Sequence, residues 1–349
     1  MRRALVFACC LPWVCVPAVA VDLGGLTAVG PVSGFTTAPD GITLRCRDGS
    51  EVAIRVLAPD LVRVRAAFGH ALAARDHSWA IAKTEWNAPK WSIKEEPDAL
   101  QVTTDALEVV VHRDPLLVEF RDPATHAVIN ADQRPMMFDP QSGMVAAAKK
   151  LGFDEHFYGL GEKAAHLDKR RGQFSMWNMD TPAYVEGTDP IYQSIPFYLG
   201  WQNGAAYGIF FDNSFRTEFD FGRSSQEYAA FSAEGGEMNY YFFQGPSMKK
   251  ILGRYAELTG HMPMPPKWAL GNQQCRWSYY PASMAEDVVR RYRADDLPLR
   301  RFFNGLDWNE STFPFRSFRF LFQCLFRDAG QPCEFFEPKL LLHRTRDRP

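Results

Sequence analysis

The sequence is poor in the features that announce a metal, a cofactor or a nucleic-acid partner. No Cys-x-x-Cys pair occurs. Cys9, Cys10 and Cys15 sit near the amino terminus, and Cys46, Cys275, Cys324 and Cys333 are widely spaced, so neither a zinc site nor a disulfide framework is implied. Cys275 lies in an apolar, aromatic stretch and is expected to be a small buried hydrophobe, not a nucleophile. His156, His166 and His261 have no metal or Ser-His-Asp spacing. There is no glycine-rich phosphate loop. The formal net charge is only −2, which excludes the electrostatic footprint of a nucleic-acid binder. The apolar run from Ala4 to Val16 is too short to span a bilayer, so no membrane span is expected.

That short run has another reading. Arg2 and Arg3 precede it, and Ala18-Val19-Ala20 follows with the small-x-small pattern of a cleavage site. Residues 1–20 are therefore expected to be a signal peptide, and the mature chain to start at Val21, secreted or periplasmic. Loss of Arg2 and Arg3 takes the net charge from −2 to −4.

What the chain has in quantity is apolar and aromatic residue: 46% of it is hydrophobic, with nine Trp and 27 Phe, enough for a sizeable core. From about residue 40 these residues alternate with polar ones. Val52, Ile54 and Val56 alternate with Ala53 and Arg55; Val62, Val64 and Ala66 with Arg63 and Arg65. The same period of two recurs at Leu100–Thr104, Leu107–Val111 and Leu116–Phe120, with turn signals such as Asp48-Gly49, Pro59-Asp60 and Asp114-Pro115 between runs. Many short strands, each with one buried and one wet face, predict an antiparallel β-sandwich. The run Tyr207–Asp212 predicts a fully buried strand, and Phe219/Phe221 and Asn239–Phe243 predict two more.

The period then changes. Ser247 is placed to cap a helix running to Leu258, with Ile251, Leu252, Tyr255 and Ala256 on one side, and Gly260 to stop it. Met262-Pro263-Met264-Pro265-Pro266 marks a domain boundary. Beyond it, Trp268–Gly271 predicts a buried strand. Ser283 with Glu286 predicts a capping box for a helix from Met284 to Ala294, and Phe302–Leu306 predicts a second strand. Strand, helix, strand is one βαβ unit, the opening of a parallel α/β domain.

Several segments, in order, resemble glycoside hydrolase family 31. They are Tyr158-Gly159-Leu160-Gly161-Glu162-Lys163, Trp177-Asn178-Met179-Asp180-Thr181-Pro182, Asp189–Phe197, Gly245-Pro246-Ser247 with Leu258-Thr259-Gly260, and Pro265–Gly271 followed by Gln274-Cys275-Arg276-Trp277. The resemblance runs from about residue 35 to about residue 309. It implies a galactose-mutarotase-like β-sandwich over residues 21–260 and, over 261–310, the first βαβ unit of an incomplete (β/α)8 barrel. It also implies a retaining α-glycosidase acting on α-glucosides or α-xylosides, with carbohydrate as its partner and no cofactor. Such enzymes place two carboxylates roughly 5–5.5 Å apart about the scissile bond.

The same resemblance exposes what is missing. A complete barrel takes about 250 residues, and 83 follow Pro266. No segment after Pro266 resembles the family's nucleophile segment, so no catalytic residue is assigned. Gly305 stands where the family has a substrate-contacting Asp, and residues 311–349 form an unrecognised Phe/Arg-rich tail. The abrupt loss of pattern inside a strand leads to the expectation of a truncated chain or a shifted reading frame, which translating the other frames would test.

Two residues are candidates for substrate binding. The resemblance has Asp180 on a sandwich loop receiving sugar hydroxyls, against the alternative that it caps the turn at Thr181-Pro182. It has Asp307 at a barrel strand end, holding neighbouring groups at the substrate site, against the alternative of an ordinary solvated Asp. Arg276 and Trp277 are expected to pack near the first barrel strand, and Glu162 to be a turn residue. The competing functions are a non-catalytic carbohydrate-binding sandwich and a product with no ligand.

Overall fold

The computed structural model describes residues 21–305, apart from 22, 88, 278, 280 and 300. The expected signal peptide, Asp307 and the tail lie outside the described residues. The chain divides after His261 into two compact units. Among the described residues, no helix is long and apolar enough to cross a membrane.

The first unit is built from two antiparallel sheets. In one of them, the strands run in the order His156–Gly159, Phe197–Gln202, Ala205–Phe211, Met238–Gly245, Leu61–Ala67, Glu51–Ala58, Gly41–Cys46, Val32–Ala38. The other carries Gln173–Met176 at one end and Ser92–Glu95 at the far end, with Val145–Lys150, Val128–Phe138, Leu116–Arg121 and Glu108–Arg113 in its middle.

The sequence alternation explains the layering. Ile54 pairs with Val64, and both are fully buried, while Arg55 pairs with Arg63 on the opposite face. The inward side chains of the two sheets form one cluster that includes Val52, Ile54, Val64, Leu100, Val109, Val118, Phe120 and Phe242. Phe120 from one sheet and Phe242 from the other stack with ring centres 3.7 Å apart. Each such buried side chain contributes about 1.5–3 kcal/mol by leaving water.

One charged pair sits inside this core. Lys149 Nζ donates to Asp132 Oδ1 at 2.6 Å and to the Tyr240 hydroxyl at 2.9 Å, and both members of the ion pair are 1% exposed. Asp132 Oδ2 also accepts the Val118 amide at 2.8 Å. Lys149 reaches its partner because Val145–Lys150 and Val128–Phe138 are neighbours, with Lys149 directly opposite Asp132.

The helix Met248–Thr259 forms where expected, with the Lys250 amide donating to the Ser247 side chain and Gly260 leaving the helix at φ 91°. Its buried face is Ile251 and Leu258 with Tyr255 against Phe197, ring centres 4.0 Å apart. Leu252, expected on this face, is 48% exposed. At 3.6 residues per turn, positions 251, 255 and 258 share a stripe and 252 turns away from it.

The second unit contains a parallel pair, Gln273–Trp277 with Arg301–Gly305, joined through the helix Ala282–Ala294. Three expectations are corrected here. Residues 268–271 are not a buried strand: Lys267–Leu270 is a 3-10 turn closed by the Ala269 amide on the Pro266 carbonyl, and Leu270 is 70% exposed. That turn takes the chain out of the extended conformation, and pairing starts only at Gln273. Ser283 caps nothing, because Pro281 occupies the cap position and its carbonyl takes the Met284 amide, which leaves Ser283 inside the first turn. Cys275 is exposed. Cys46, by contrast, is buried, and loss of hydration pushes its thiol up to about 12.

Candidate functional site

The site is the loop over residues 177–196 that joins the strands Gln173–Met176 and Phe197–Gln202. Its support begins at residues 158–163. The strand His156–Gly159 pairs with Phe197–Gln202, then turns sharply. Gly159 has φ 114°, and a Cβ there would lie 2.7 Å from the Phe197 carbonyl oxygen; at Gly161, with φ 65°, a Cβ would lie 2.8 Å from Ile195 Cδ1. Only glycine fits both places. Between them Leu160 is fully buried, and its amide donates to the Phe197 carbonyl at 2.8 Å.

This turn drops Lys163 into the protein. Its ammonium donates to Asp189 Oδ1 and to the Ser175 carbonyl, each at 2.5 Å, and the Asp189 carboxylate takes the Ser175 amide with its other oxygen at 2.5 Å. The Lys163 and Asp189 side chains are 1% and 10% exposed. One buried ion pair thus ties the glycine turn, the end of a core strand and the far limb of the loop together. The loop is laced further by the Tyr192 hydroxyl on the Thr181 carbonyl at 2.8 Å and by the Gly187 amide on the Ala164 carbonyl at 2.6 Å.

On this braced loop Asp180 is exposed. Among the described residues its carboxylate has no hydrogen bond or ion pair; the turn it was alternatively expected to cap is held by Thr181 Oγ1 on the Pro190 carbonyl and by Tyr192. The loop also exposes Trp177, Met179, Tyr184 and Tyr192, with Tyr184 edge-on to Tyr192. A free carboxylate among exposed aromatic rings is suited to a polyhydroxylated ligand, because two oxygens accept from neighbouring hydroxyls while rings cover C–H faces.

Of the other sequence candidates, Glu162 is exposed at the bend after Gly161. Arg276 is exposed rather than packed in a core, its guanidinium 5.4 Å from the Tyr279 ring centre. Asp307 lies outside the described residues. Sequence reasoning missed Lys163 and Asp189. Both stand in the motifs, but 26 positions of separation give no signal that they meet.

Behind the loop, His156 Nδ1 lies 2.6 Å from Asp168 Oδ2, and the Phe157 and Arg170 amides donate to Asp168 Oδ1. The hydrogen bond to Asp168, with the charges of Asp168 and Asp154, holds the His156 imidazolium above its ordinary range. Partial burial acts to raise Asp168, but the His156 hydrogen bond and the two amides outweigh it and hold its carboxyl below the usual range. The raised histidine stabilises fully below its unfolded value of about 6.5 and loses that contribution as pH rises through the folded value; the depressed aspartate loses its contribution as pH falls through its own folded value. The clamp is therefore strongest in mildly acidic solution. In an NMR titration His156 should show a midpoint above about 6.5, and Asp168→Asn should lower it towards that value, Asp154 still standing beside the ring; an unshifted midpoint in the parent chain would contradict the contact.

Comparison with known proteins now places the fold. Residues 51–220 match the Glycosyl hydrolase 31 N-terminal galactose mutarotase-like domain, and residues 262–328 match the Glycosyl hydrolases family 31 TIM-barrel domain. The chain belongs to glycosyl hydrolase family 31. The barrel match continues past Asn309, where motif resemblance stops, so residues 311–328 fall inside it. Alpha-glucosidase 2 of Bacillus thermoamyloliquefaciens is 37% identical over 273 residues, 78% of this chain and 34% of that protein. Alpha-xylosidase XylQ of Lactiplantibacillus pentosus is 31% identical, over 57% of this chain and 24% of its own length. The Flavobacterium johnsoniae family 31 dextranase, solved with isomaltotriose, superposes with a TM-score of 0.75 at 31% identity, covering 81% of this chain and 35% of the dextranase. This family 31 chain thus spans about a third of the length of the α-glucosidase and the dextranase.

Proposed function

We propose that this chain is the substrate-facing amino-terminal part of an exported α-glycosidase acting on α-linked glucosides or xylosides. In this reading the loop over 177–196 presents Asp180 to hydroxyls of a bound sugar, and Asp307 holds neighbouring groups at the same site. The bond-breaking carboxylate pair belongs to barrel strands beyond those described. The observation that carries the reading is the exposed Asp180 carboxylate, without a partner among the described residues, on a loop braced by the buried Lys163–Asp189 pair. A carboxylate that served only the fold would be engaged by the turn around it.

The test is a chimera in which residues 21–305 replace the matching part of the Bacillus α-glucosidase. The chimera should hydrolyse a chromogenic α-glucoside. Asp180→Ala in it should lower kcat/KM by roughly 10- to 100-fold, the worth of about 1.5–3 kcal/mol for a charged hydrogen bond to substrate. An active chimera indifferent to Asp180→Ala would refute the sugar contact.

A further inference from the structure

The first unit has a small hollow of about 320 Å³, lined by Arg171, Gly222, Arg223, Ser224, Ser225 and Gln226. It lies at the other end of the strand Gln173–Met176 from the loop over 177–196 and shares no residue with that loop. Two corners of backbone shape it. At one, Arg171 stands in the left-handed region at φ 63°, with its amide on the Phe221 carbonyl at 2.7 Å. At the other, the turn over 222–226 is fastened to Asp220, which is 1% exposed. Its carboxylate takes the Arg223 amide at 2.7 Å, the Ser224 amide at 3.1 Å and Gln173 Nε2 at 2.7 Å. Gly222 makes the bend at φ 85°, where a Cβ would lie 2.5 Å from Leu151 Cδ2. The fold itself therefore sets the shape of the hollow.

Its chemistry is one-sided. No acidic residue lines it. The Asp220 carboxylate is consumed by the turn, and the exposed Glu227 follows the lining residues without being one of them. Among the described residues, neither the Arg171 nor the Arg223 guanidinium has a hydrogen bond or an ion pair. Their neighbour Arg170 differs, its guanidinium being spent on the Gly152 and Phe153 carbonyls. Ser224 Oγ accepts from Gln173 Nε2 at 2.9 Å and Ser225 Oγ from the Glu227 amide at 3.1 Å, so each hydroxyl keeps its proton to donate. A non-glycine residue at positive φ is strained, and here the strain sets one unpaired guanidinium beside another. Two like charges lining one hollow repel unless an anion lies between them. Two guanidinium forks and two hydroxyls offer more donors than a carboxylate has lone-pair sites, and they suit the oxygens of a tetrahedral phosphate.

We infer that this hollow is an oxyanion site that binds a phosphate group, free or carried as an ester, between Arg171 and Arg223. It is separate from the sugar contact of Asp180, and either can fail without the other.

Isothermal titration of the full chain with inorganic phosphate and with glycerol 3-phosphate, at constant ionic strength set by sodium chloride, tests it. At least one should bind saturably, with Kd at or below about 1 mM. Tighter binding of the ester assigns the site to a phosphate carried on an organic group, and inorganic phosphate bound at least as tightly assigns it to the free ion; both results support the site. Arg223→Gln should weaken binding roughly tenfold or more, the scale of a lost charge-assisted hydrogen bond. Arg171→Gly should do the same and should leave the chain folded, because glycine adopts φ 63° without strain. Arg290→Gln removes the same charge from the second unit and should leave binding unchanged. Saturable binding of neither compound overturns the inference. Binding that survives both Arg171→Gly and Arg223→Gln overturns it too, as does binding that falls equally in Arg290→Gln.

Discussion

Lys149→Ala is expected to destabilise the sandwich by about 3–5 kcal/mol, because it strands the Asp132 carboxylate in the core. Asp132 is 1% exposed, and its remaining partner is the Val118 amide. A buried carboxylate without a counter-charge must either stay ionised at high cost or take up a proton. The loss compares with a typical total stability of about 5–15 kcal/mol, so the variant should sit near the edge of folding at ordinary temperature. Urea denaturation followed by tryptophan fluorescence reads this directly as a lower midpoint. The partner change matters as much as the deletion. Lys149→Met combined with Asp132→Leu removes both charges and should recover most of the loss, since well-packed apolar pairs often match buried ion pairs. A single variant that loses under about 1 kcal/mol would show that water reaches Asp132.

Lys163→Ala is the second large effect, and it bears on the site. The deletion leaves Asp189 with the Ser175 amide alone and cuts the tie between the glycine turn and the loop over 177–196. A cost of about 3 kcal/mol or more is expected from the buried, unpaired carboxylate. Much of it should appear as local opening, because the loop lies outside the sheets and its other braces are single hydrogen bonds. Limited proteolysis should therefore nick the variant within residues 177–196 while the strands stay intact. Asp189→Asn, which keeps the shape and an acceptor for the lysine, should be milder. Equal protease resistance in parent and Lys163→Ala chains would mean that the loop is held by Tyr192 and Thr181 and does not depend on the ion pair.

These two pairs also mark what could be read from the sequence. The alternation at Val52/Ile54/Val56 and Val62/Val64/Ala66 gave the strands, their buried faces and the sandwich, because a period of two has one physical meaning when one face is dry. It also put Arg63 and Arg65 on the wet face. Ser247 and Gly260 were legible as helix ends because each acts through its own backbone neighbourhood. Cap and turn chemistry failed where proline intervened: Pro281 displaced Ser283 from the cap, and Pro266 turned the following residues out of the ladder. Asp180 was legible only through its motif. Its support was not legible, since Lys163 and Asp189 look like surface charges until the glycine turn and the strand Gln173–Met176 bring them together. Lys149 and Asp132 were hidden for the same reason: each sits on a strand whose pairing, not whose composition, makes them neighbours.

A crystal structure of the active chimera with isomaltotriose bound tests the central claim most directly. The account predicts an Asp180 oxygen within hydrogen-bond distance of a sugar hydroxyl, about 2.6–3.2 Å, with the Lys163–Asp189 pair intact beneath the loop. A sugar seated in the barrel with Asp180 turned to solvent, or engaged by another protein side chain, would contradict it.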